Sequence, residues 1–433
     1  MGFFLFILVN AALFIRPTEL FPWFEVPIYN YLILACLAVS VPHILGRNTK
    51  QTRSSSPISL CVLGVLALCV LSLLVRFRFG RAVSCGLEFA KVLVYYFLLV
   101  SLVDSFHRLR LFLLSIAGFT IVITVLAALH YHEIIVLPSL EAVQQPIIDP
   151  ETGSVYAIPR MCGTGIFNDP NDFSMILVLA ILTTLYGVES NKGPLRFLWL
   201  APLGFFLYAL KLTYSRGGLL NLSASLITLS WGKYGWKKTL AMSALCLPAM
   251  LALFGGRMTS VDTSNPNDTS VGRVRLWAEG FAYFRGSPLF GVGMDEYAKL
   301  VGEVAHNSFV HTYVELGFFG GTLFSGAFYL ALWGTRRNVY GKLIEGCPEV
   351  GRLGTYIFAM VASYCAGMFS LSRPYVVPTY MILGIAAAYI RIVQDRLPAT
   401  ALRPDTPSPM NLLGLSLAWI MFLMVFARLF ARW

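Results

Sequence analysis

Most polar side chains that could act on a substrate lie in four short segments of this 433-residue chain. The segments read RMCGTGIFNDPNDFSMIL (160–177), KLTYSRGGLL (211–220), SVGRVRLWAEGFAYFRGSPLFGVGMDEY (270–297) and GEVAHNSFVHTYVELGFFGG (302–321). They supply guanidinium groups, which bind phosphate oxygens through two parallel hydrogen bonds, and imidazole, which accepts a proton near neutral pH. This combination predicts a site that binds an anion and moves a proton.

Three arginines in the second and third segments are candidates for binding the anion. Arg216 follows a very short turn between two apolar runs, and Ser215 is placed to cap the helix that begins there. Arg273 and Arg275 precede a run whose apolar side chains predict an amphipathic helix lying on the membrane. Those apolar side chains are Trp277, Phe281, Phe284 and Leu289. In either place, an arginine can instead have no part in anion binding. It then reaches the membrane interface or orients a helix toward lipid headgroups.

The fourth segment contains the candidate for proton transfer. His306 stands where a polar loop meets an apolar run, with Asn307 or Ser308 as the predicted helix cap. A neutral imidazole in that position suits the removal of a proton from a hydroxyl, although a histidine can equally bond a neighbouring backbone group. His311 and Glu315 share a helix face, which predicts an internal contact between them. His306 is five residues from His311, a spacing that does not favour a two-histidine metal site.

The first segment combines a helix start with amide side chains. Asp169 followed by Pro170 predicts the first residues of a helix, because proline loses no needed hydrogen bond there. Asn168 and Asn171 are either turn residues or substrate contacts. The candidates for substrate binding, beside Arg275, are Arg160, Asn171, Tyr214 and Asn307.

The elements that must position these residues are membrane-spanning helices. The chain is 57% hydrophobic and 13% charged, with a mean hydropathy of +0.70, which excludes one water-soluble core. About 20 apolar residues cross the hydrocarbon layer as a helix. Runs of that kind lie near 27–46, 58–76, 88–104, 110–130, 172–188, 195–212, 217–232, 237–254, 308–333, 352–371, 375–392 and 410–430. With a retained first helix at the opening GFFLFILVNAALFI, the sequence predicts an all-α polytopic membrane helix bundle of about 12 or 13 transmembrane helices.

Because successive spans cross the membrane in opposite directions, each loop can be assigned to one side of the membrane. The basic clusters at 47–56, 107–110, 233–238, 336–342 and 391–403 all fall on one side, which the positive-inside rule assigns to the cytoplasm. Two long loops, 131–171 and 255–307, then lie on the periplasmic side, the second carrying short amphipathic helices and part of the site. All four polar segments reach that same side, which predicts a single outer site. The cluster RFRFGR (76–81) is the exception, since it also falls outside, where its arginines would meet lipid headgroups or substrate phosphates.

Charge and cysteine usage exclude other classes of protein. The net charge of +11 is explained mostly by the cytoplasmic loops, so it does not indicate a nucleic-acid partner. Eight cysteines form no CxxC pair, and most lie in apolar spans, so we expect neither a metal centre nor a cofactor. Cys85 and Cys162 would both face outside, which leaves a disulfide between them open. We expect residues 1–433 to form a single transmembrane domain.

The segments together resemble the O-antigen ligase and polymerase superfamily of bacterial envelope glycosyltransferases. In order along the chain, GIFNDPNDF resembles its N-P-N element, TYSRGG its S-R-G element, GRVRLW its G-R-x-x-x-W element and SPLFGVGMDEY its P-x-x-G-x-G turn. AHNSFVHTYVELGFFGG resembles its H-N helix with E-x-G and G-x-x-G downstream. The resemblance is good over about residues 160–335, whereas the N-terminal third agrees in helix pattern and in FIRPTELFP.

The resemblance implies transfer of a glycan from an undecaprenyl-diphosphate donor to an acceptor hydroxyl at the periplasmic face of the inner membrane. It implies that no metal takes part, that Arg216 and Arg273 bind the diphosphate, and that His306 activates the hydroxyl of a glycolipid or glycan acceptor. Arg273 stands four residues before Trp277, as the family's arginine does, and Arg275 is the alternative. Direct attack would invert the anomeric configuration, whereas a covalent intermediate on Glu315 or Asp295 would retain it.

Three other interpretations stay open at this point. A repeat-unit polymerase differs from a ligase in its acceptor alone. A lipid-linked glycan transporter would also be polytopic, but charged residues near mid-membrane are typical of that class, and these spans carry almost none. A structural envelope scaffold would tolerate loss of Arg216 and His306.

Overall fold

A computed structural model shows how these segments are held. It describes residues 1–20, 23, 26–48, 56–138, 140, 143–148, 155–254, 269–340, 348–395 and 407–431. Parts of both long loops, 131–171 and 255–307, and of the basic clusters at 47–56, 336–342 and 391–403 lie outside the described residues. The predicted side of the membrane stays a prediction for every loop, described or not.

The described chain is all-α apart from one hairpin, as the composition predicted. The helices are α1 Gly2–Ile15, α2 Pro17–Leu20, α3 Ile28–Asn48, α4 Pro57–Leu74, α5 Phe79–Leu102, α6 Phe106–Tyr131, α7 Pro170–Ser190, α8 Leu200–Leu212, α9 Arg216–Leu253, α10 Thr269–Gly286, α11 Tyr297–Val301, α12 Ser308–Tyr340, α13 Pro348–Gly367, α14 Val377–Asp395 and α15 Pro409–Phe430. Two 3₁₀ turns, Gly165–Phe167 and Pro194–Trp199, precede α7 and α8. Strands β1 Val143–Ile148 and β2 Val155–Arg160 pair antiparallel, with Val143 opposite Arg160.

Every predicted span coincides with a helix, but not every helix is long and apolar enough to cross a membrane. Nine helices meet both conditions in the described part of the chain, fewer than the 12 or 13 predicted. The apolar part of α3 is shorter, Ile28–Pro42. The two spans predicted at 217–232 and 237–254 lie on either side of non-helical backbone at Gly235 (φ 77°), so α9 consists of two helical segments joined at a kink, as predicted. The chain is an all-α, multi-pass membrane protein.

The described residues group into two compact units, which we treat separately. The first unit comprises Met1–Lys50 and Leu102–Thr259. In it α7 packs against α6, α8 and α9, and is buried along most of its length because its side chains are apolar on every face. A second group forms where α1 packs against α3 and α6.

The second unit comprises Gln51–Ser101 and Ser260–Trp433. Its central helix, α12, packs against α4, α10, α13, α14 and α15. The buried aromatic side chains of this unit include Phe309, which packs edge-on or tilted against Phe324, Phe369 and Trp419. This packing fixes the start of α12, which follows His306.

Candidate active site

The second polar segment forms the junction between α8 and α9 in the first unit. Ser215 caps α9, since its Oγ accepts a hydrogen bond from the Gly218 N–H at 3.0 Å. The predicted cap is therefore confirmed, and Arg216 becomes the first residue of the helix. Tyr214 has a left-handed backbone (φ 46°), which is uncommon for a bulky residue and marks a tightly determined turn.

The first and second polar segments are joined by a buried hydrogen-bond network. Arg160 donates through Nε to the Thr213 carbonyl at 2.9 Å and through Nη2 to Asn171 Oδ1 at 3.1 Å. Ser215 donates to the same Asn171 oxygen at 2.7 Å. Arg160 and Asn171, two predicted substrate contacts, therefore hold the turn that places Tyr214 and Arg216.

The start of α7 is built as the sequence predicted. Asp169 Oδ1 accepts hydrogen bonds from the Asn171 N–H at 2.7 Å and the Asp172 N–H at 3.3 Å, and Pro170 occupies the first turn. A Cβ at Gly218 would lie 2.7 Å from the Ser174 Cβ, so glycine permits the close approach of α9 to α7.

The two thiols considered for a disulfide do not form one. Cys85 and Cys162 are both buried and unbridged. Burial raises the pKa of the Cys162 thiol to about 11, so it stays protonated and unreactive at neutral pH.

In the second unit, Arg273 and Arg275 lie in the first half of α10. Trp277 is one turn beyond Arg273, and its indole Nε1–H donates to the Ala305 carbonyl at 2.7 Å. That bond joins α10 to the residue directly before His306. Arg273 is half-buried, whereas Arg275 is exposed.

The apolar face of α10 is covered by protein, not by lipid. Trp277, Phe281 and Phe284 are buried, because α10 packs against α12 and α15. Leu289, predicted to continue this face, lies beyond the helix and is exposed. The interpretation of an amphipathic helix resting on the membrane was therefore wrong for these three aromatic side chains.

His306 lies on the polar stretch between α11 and α12. Its Nε2 lies 3.2 Å from the Glu303 Oε1, and its side chain is 30% exposed. The backbone of His306 is left-handed (φ 48°), an unfavourable conformation that the surrounding contacts impose. A carboxylate beside one ring nitrogen stabilises the imidazolium that forms when the other nitrogen takes a proton.

The residues that follow His306 are immobilised. Asn307 Oδ1 accepts hydrogen bonds from the Phe309 N–H at 3.0 Å and the Val310 N–H at 3.2 Å, so Asn307, one of the two predicted candidates, caps α12. Ser308 is fully buried and donates through its hydroxyl to the Leu371 carbonyl at 2.6 Å. With Ala305 held by Trp277, both neighbours of His306 are fixed.

Glu315 organises the turn between α10 and α11. Its buried Oε1 accepts the N–H groups of Glu296 and Tyr297, each at 3.0 Å, and lies 3.1 Å from His311 Nε2. The predicted contact between His311 and Glu315 is confirmed. The Tyr297 ring stacks on the His311 imidazole at 5.1 Å, and burial raises the pKa of Tyr297.

Two glycines allow this turn to contact a break in α12. Gly317 has φ 70° inside α12, and Gly291 in the turn also has φ 70°. The Val292 N–H donates to the Val314 carbonyl at 2.9 Å, and the Phe318 N–H donates to the Pro288 carbonyl at 2.7 Å. A Cβ on either glycine would overlap the opposing backbone. The glycines of the G-x-G and E-x-G elements are therefore both required by this one close contact.

The RFRFGR cluster binds the same turn. Arg76 donates through Nε and Nη2 to the Gly291 carbonyl at 3.0 and 2.7 Å. Arg78 and Arg81 both pair with the buried carboxylate of Glu296, and Arg81 also pairs with Asp295 at 2.9 Å. These arginines therefore have protein partners, a third outcome beside the lipid and substrate roles considered above. The sequence separation of more than 200 residues left no local pattern that could have indicated these pairs.

Loss of the Glu315 carboxylate should weaken the second unit. Glu315→Ala leaves two buried N–H groups and His311 without their acceptor, which we expect to cost about 2–5 kcal/mol. Thermal unfolding of the purified protein measures this as a lower apparent melting temperature. Glu349→Ala, which removes an exposed carboxylate at the start of α13, is the matched control. Equal melting temperatures for the two variants would contradict the organising role of Glu315.

Within each unit, the structure brings predicted residues together. Arg160, Asn171, Tyr214 and Arg216 surround the start of α9. In the second unit, the helix of Arg273 is bonded to the segment of His306 and Asn307. Among the described residues, no group of three or more His, Cys, Asp or Glu side chains is placed to hold a metal ion.

Comparison with known proteins found one family that matches part of the chain. Residues 201–325 match the family described as O-antigen ligase. No curated protein matches the chain. The matched segment contains Arg216, Arg273, Arg275 and His306, and it supports a membrane glycan-processing function of the O-antigen ligase or polymerase type. Over residues 201–325, this multi-pass membrane protein therefore contains a segment that matches the O-antigen ligase family, in agreement with its motifs.

Proposed function

We propose that the protein is a glycosyltransferase of the O-antigen ligase type. It moves a glycan from an undecaprenyl-diphosphate donor to an acceptor hydroxyl at the periplasmic face of the bacterial inner membrane. The observation that carries this proposal is the family match over residues 201–325, which includes the two arginines and the histidine required by the chemistry.

The proposed reaction is a single displacement. The acceptor oxygen attacks the anomeric carbon, the bond from that carbon to the diphosphate oxygen breaks, and undecaprenyl diphosphate leaves. His306 takes the proton of the attacking hydroxyl. Arg216 and Arg273 offset the charge that gathers on the departing diphosphate, a task in which guanidinium replaces a divalent cation.

The surroundings of His306 support its proposed role. Glu303 lies beside Nε2, so the imidazolium formed during the reaction has a carboxylate within hydrogen-bond distance. The fixed neighbours Ala305 and Asn307 limit movement of the backbone. A catalytic base has to be held in this way, because small displacements reduce the rate strongly.

Five further residues are proposed to contribute to substrate binding, less directly than Arg216 and Arg273. They are Arg160, Asn171, Asn307, Tyr214 and Arg275. Arg160 and Asn171 share hydrogen bonds at the start of α9, so their effect would reach the donor through Arg216. Asn307 contributes mainly as the cap of α12. Arg275, exposed on α10, is the alternative to Arg273.

Single displacement predicts an inverted anomeric configuration in the product. Of the two alternative nucleophiles, Glu315 and Asp295, Glu315 is fully buried and already accepts hydrogen bonds from two N–H groups, which disfavours a covalent intermediate on Glu315. NMR of the product linkage, after transfer by the purified protein with EDTA present, tests both the stereochemistry and independence from metal. Retention of configuration would exclude the single displacement, and loss of transfer in EDTA would exclude the metal-independent mechanism.

Glycolipids from a deletion strain distinguish ligase from polymerase. Mass spectrometry should show long glycans that remain on undecaprenyl diphosphate when a ligase is lost. Single uncapped repeat units would instead identify a polymerase, which uses a second lipid-linked repeat as its acceptor. Movement of the lipid-linked glycan without bond cleavage by the purified protein would favour the transporter alternative.

A further inference from the structure

The connection between α13 and α14, residues 368–376, is attached to the start of α12. The Ser308 N–H donates to the Met368 carbonyl at 2.9 Å, and the Ser308 hydroxyl donates to the Leu371 carbonyl at 2.6 Å. The same hydroxyl accepts the Arg373 N–H at 2.9 Å. Ser308 is fully buried, so these three bonds hold the connection in place without competition from water.

Arg373 is held at both its backbone N–H and its carbonyl. Its N–H is bonded to Ser308, and its carbonyl accepts a hydrogen bond from the Thr379 hydroxyl at 2.6 Å. Pro374 follows, and a residue before proline is restricted to extended backbone. The Cα of Arg373 therefore has little freedom, although its side chain is only half-buried.

Through Ser308, this fixed position is tied to the segment of the proposed catalytic histidine. Ser308 is two residues from His306, which places their Cα atoms at most about 7 Å apart. The Arg373 N–H is bonded to the Ser308 hydroxyl at 2.9 Å, so these two short links place the backbone of Arg373 near His306. Arg373 is the only charged residue in the connection, whose sequence is MFSLSRPYV. By the predicted alternation of spans, residues 368–376 also lie on the same side of the membrane as His306.

We infer that Arg373 binds a phosphate group of a substrate held next to His306. This inference rests on the proposed function and adds to it a binding residue from a part of the chain outside the matched segment. Guanidinium suits the role, because it makes two parallel hydrogen bonds to phosphate oxygens and stays charged. Binding residues placed on a fixed connection lose little conformational freedom when the ligand arrives. The phosphate comes either from the donor diphosphate or from a phosphorylated acceptor.

Two measurements on the purified full-length protein distinguish these sources. The first is the affinity for undecaprenyl diphosphate in nanodiscs, by native mass spectrometry. The second is transfer kinetics with lipid-linked donor and acceptor extracted from a deletion strain, each varied separately. Arg373→Ala should weaken binding of one substrate by about 10- to 100-fold, the effect of losing a charged hydrogen bond. Weaker binding of undecaprenyl diphosphate identifies the donor, whereas a higher KM for the acceptor alone identifies the acceptor.

The controls separate this inference from the proposed function. Arg352→Ala, near the opposite end of α13, should change neither measurement. Arg373→Lys should retain part of the affinity, and Arg373→Gln replaces the alanine variant if that variant does not fold. Unchanged affinity and KM in Arg373→Ala, with transfer impaired in Arg216→Ala, would overturn the inference alone. A wild-type protein that neither binds undecaprenyl diphosphate nor transfers glycan would overturn both.

Discussion

Replacing His306 by glutamine should reduce glycan transfer by about 10²- to 10⁴-fold, the usual contribution of a general base. The reason is that glutamine keeps a polar side chain of similar reach but accepts no proton near neutral pH. The loss should fall on kcat, with the KM values of donor and acceptor little changed, because the base acts in the transition state. Steady-state transfer by the purified variant measures this effect.

The backbone of His306 calls for a second variant in this experiment. Its φ of 48° is tolerated better by asparagine than by glutamine, since asparagine is enriched in left-handed conformations. His306→Asn should therefore fold at least as well as His306→Gln and be equally inactive. His107→Gln, on the exposed start of α6, is the matched histidine control and should retain full activity. A His306→Asn protein with normal melting temperature and normal turnover would contradict the catalytic role.

Local features of the site could be predicted from the sequence because they depend on neighbouring residues. Asp169, Ser215 and Asn307 cap the helices that follow them, as their types and positions predicted. The contact of His311 with Glu315 follows from helical spacing alone. The same rules gave the helices, since every predicted span coincides with a helix of the structure.

Features that depend on distant residues could not be predicted in this way. Arg76 binds the Gly291 carbonyl and Arg81 pairs with Asp295, more than 200 residues later, and no spacing rule connects them. The periodicity of α10 indicated an apolar face correctly, but periodicity does not specify whether lipid or protein covers that face. The hairpin of β1 and β2 was also missed, because two short strands in a polar loop carry a weak pattern.

The roles of the turn glycines became clear only from packing. A G-x-G sequence is a weak signal by itself, and in the sequence it stood only as part of the family resemblance. In the structure, Gly291 contacts the break in α12 at Gly317, so both glycines are needed at one place. Glu315 and Arg76 then bind the turn from two further directions. The motif therefore has a structural explanation that does not require a phosphate.

Arg216→Lys should be almost as inactive as Arg216→Ala, with both variants losing about 10²- to 10³-fold in kcat. Lysine keeps the charge, but a single ammonium group does not reproduce the planar pair of hydrogen bonds that guanidinium makes to a diphosphate. Arg216 is the first residue of α9, so the partial positive charge of the helix N-terminus acts on the same anion and remains in both variants.

The matched control for Arg216 is Arg196, an exposed arginine ahead of α8 in the same unit. Arg196→Lys and Arg196→Ala should leave transfer and melting temperature unchanged. Since Ser215 caps α9 through its own side chain and Arg160 holds the preceding turn, the Arg216 variants should also fold normally. Transfer at the wild-type rate by Arg216→Lys would show that charge alone suffices, and the forked contact with the diphosphate would have to be abandoned. If Arg216→Ala also retained that rate, Arg216 would be an interfacial arginine without a part in the reaction.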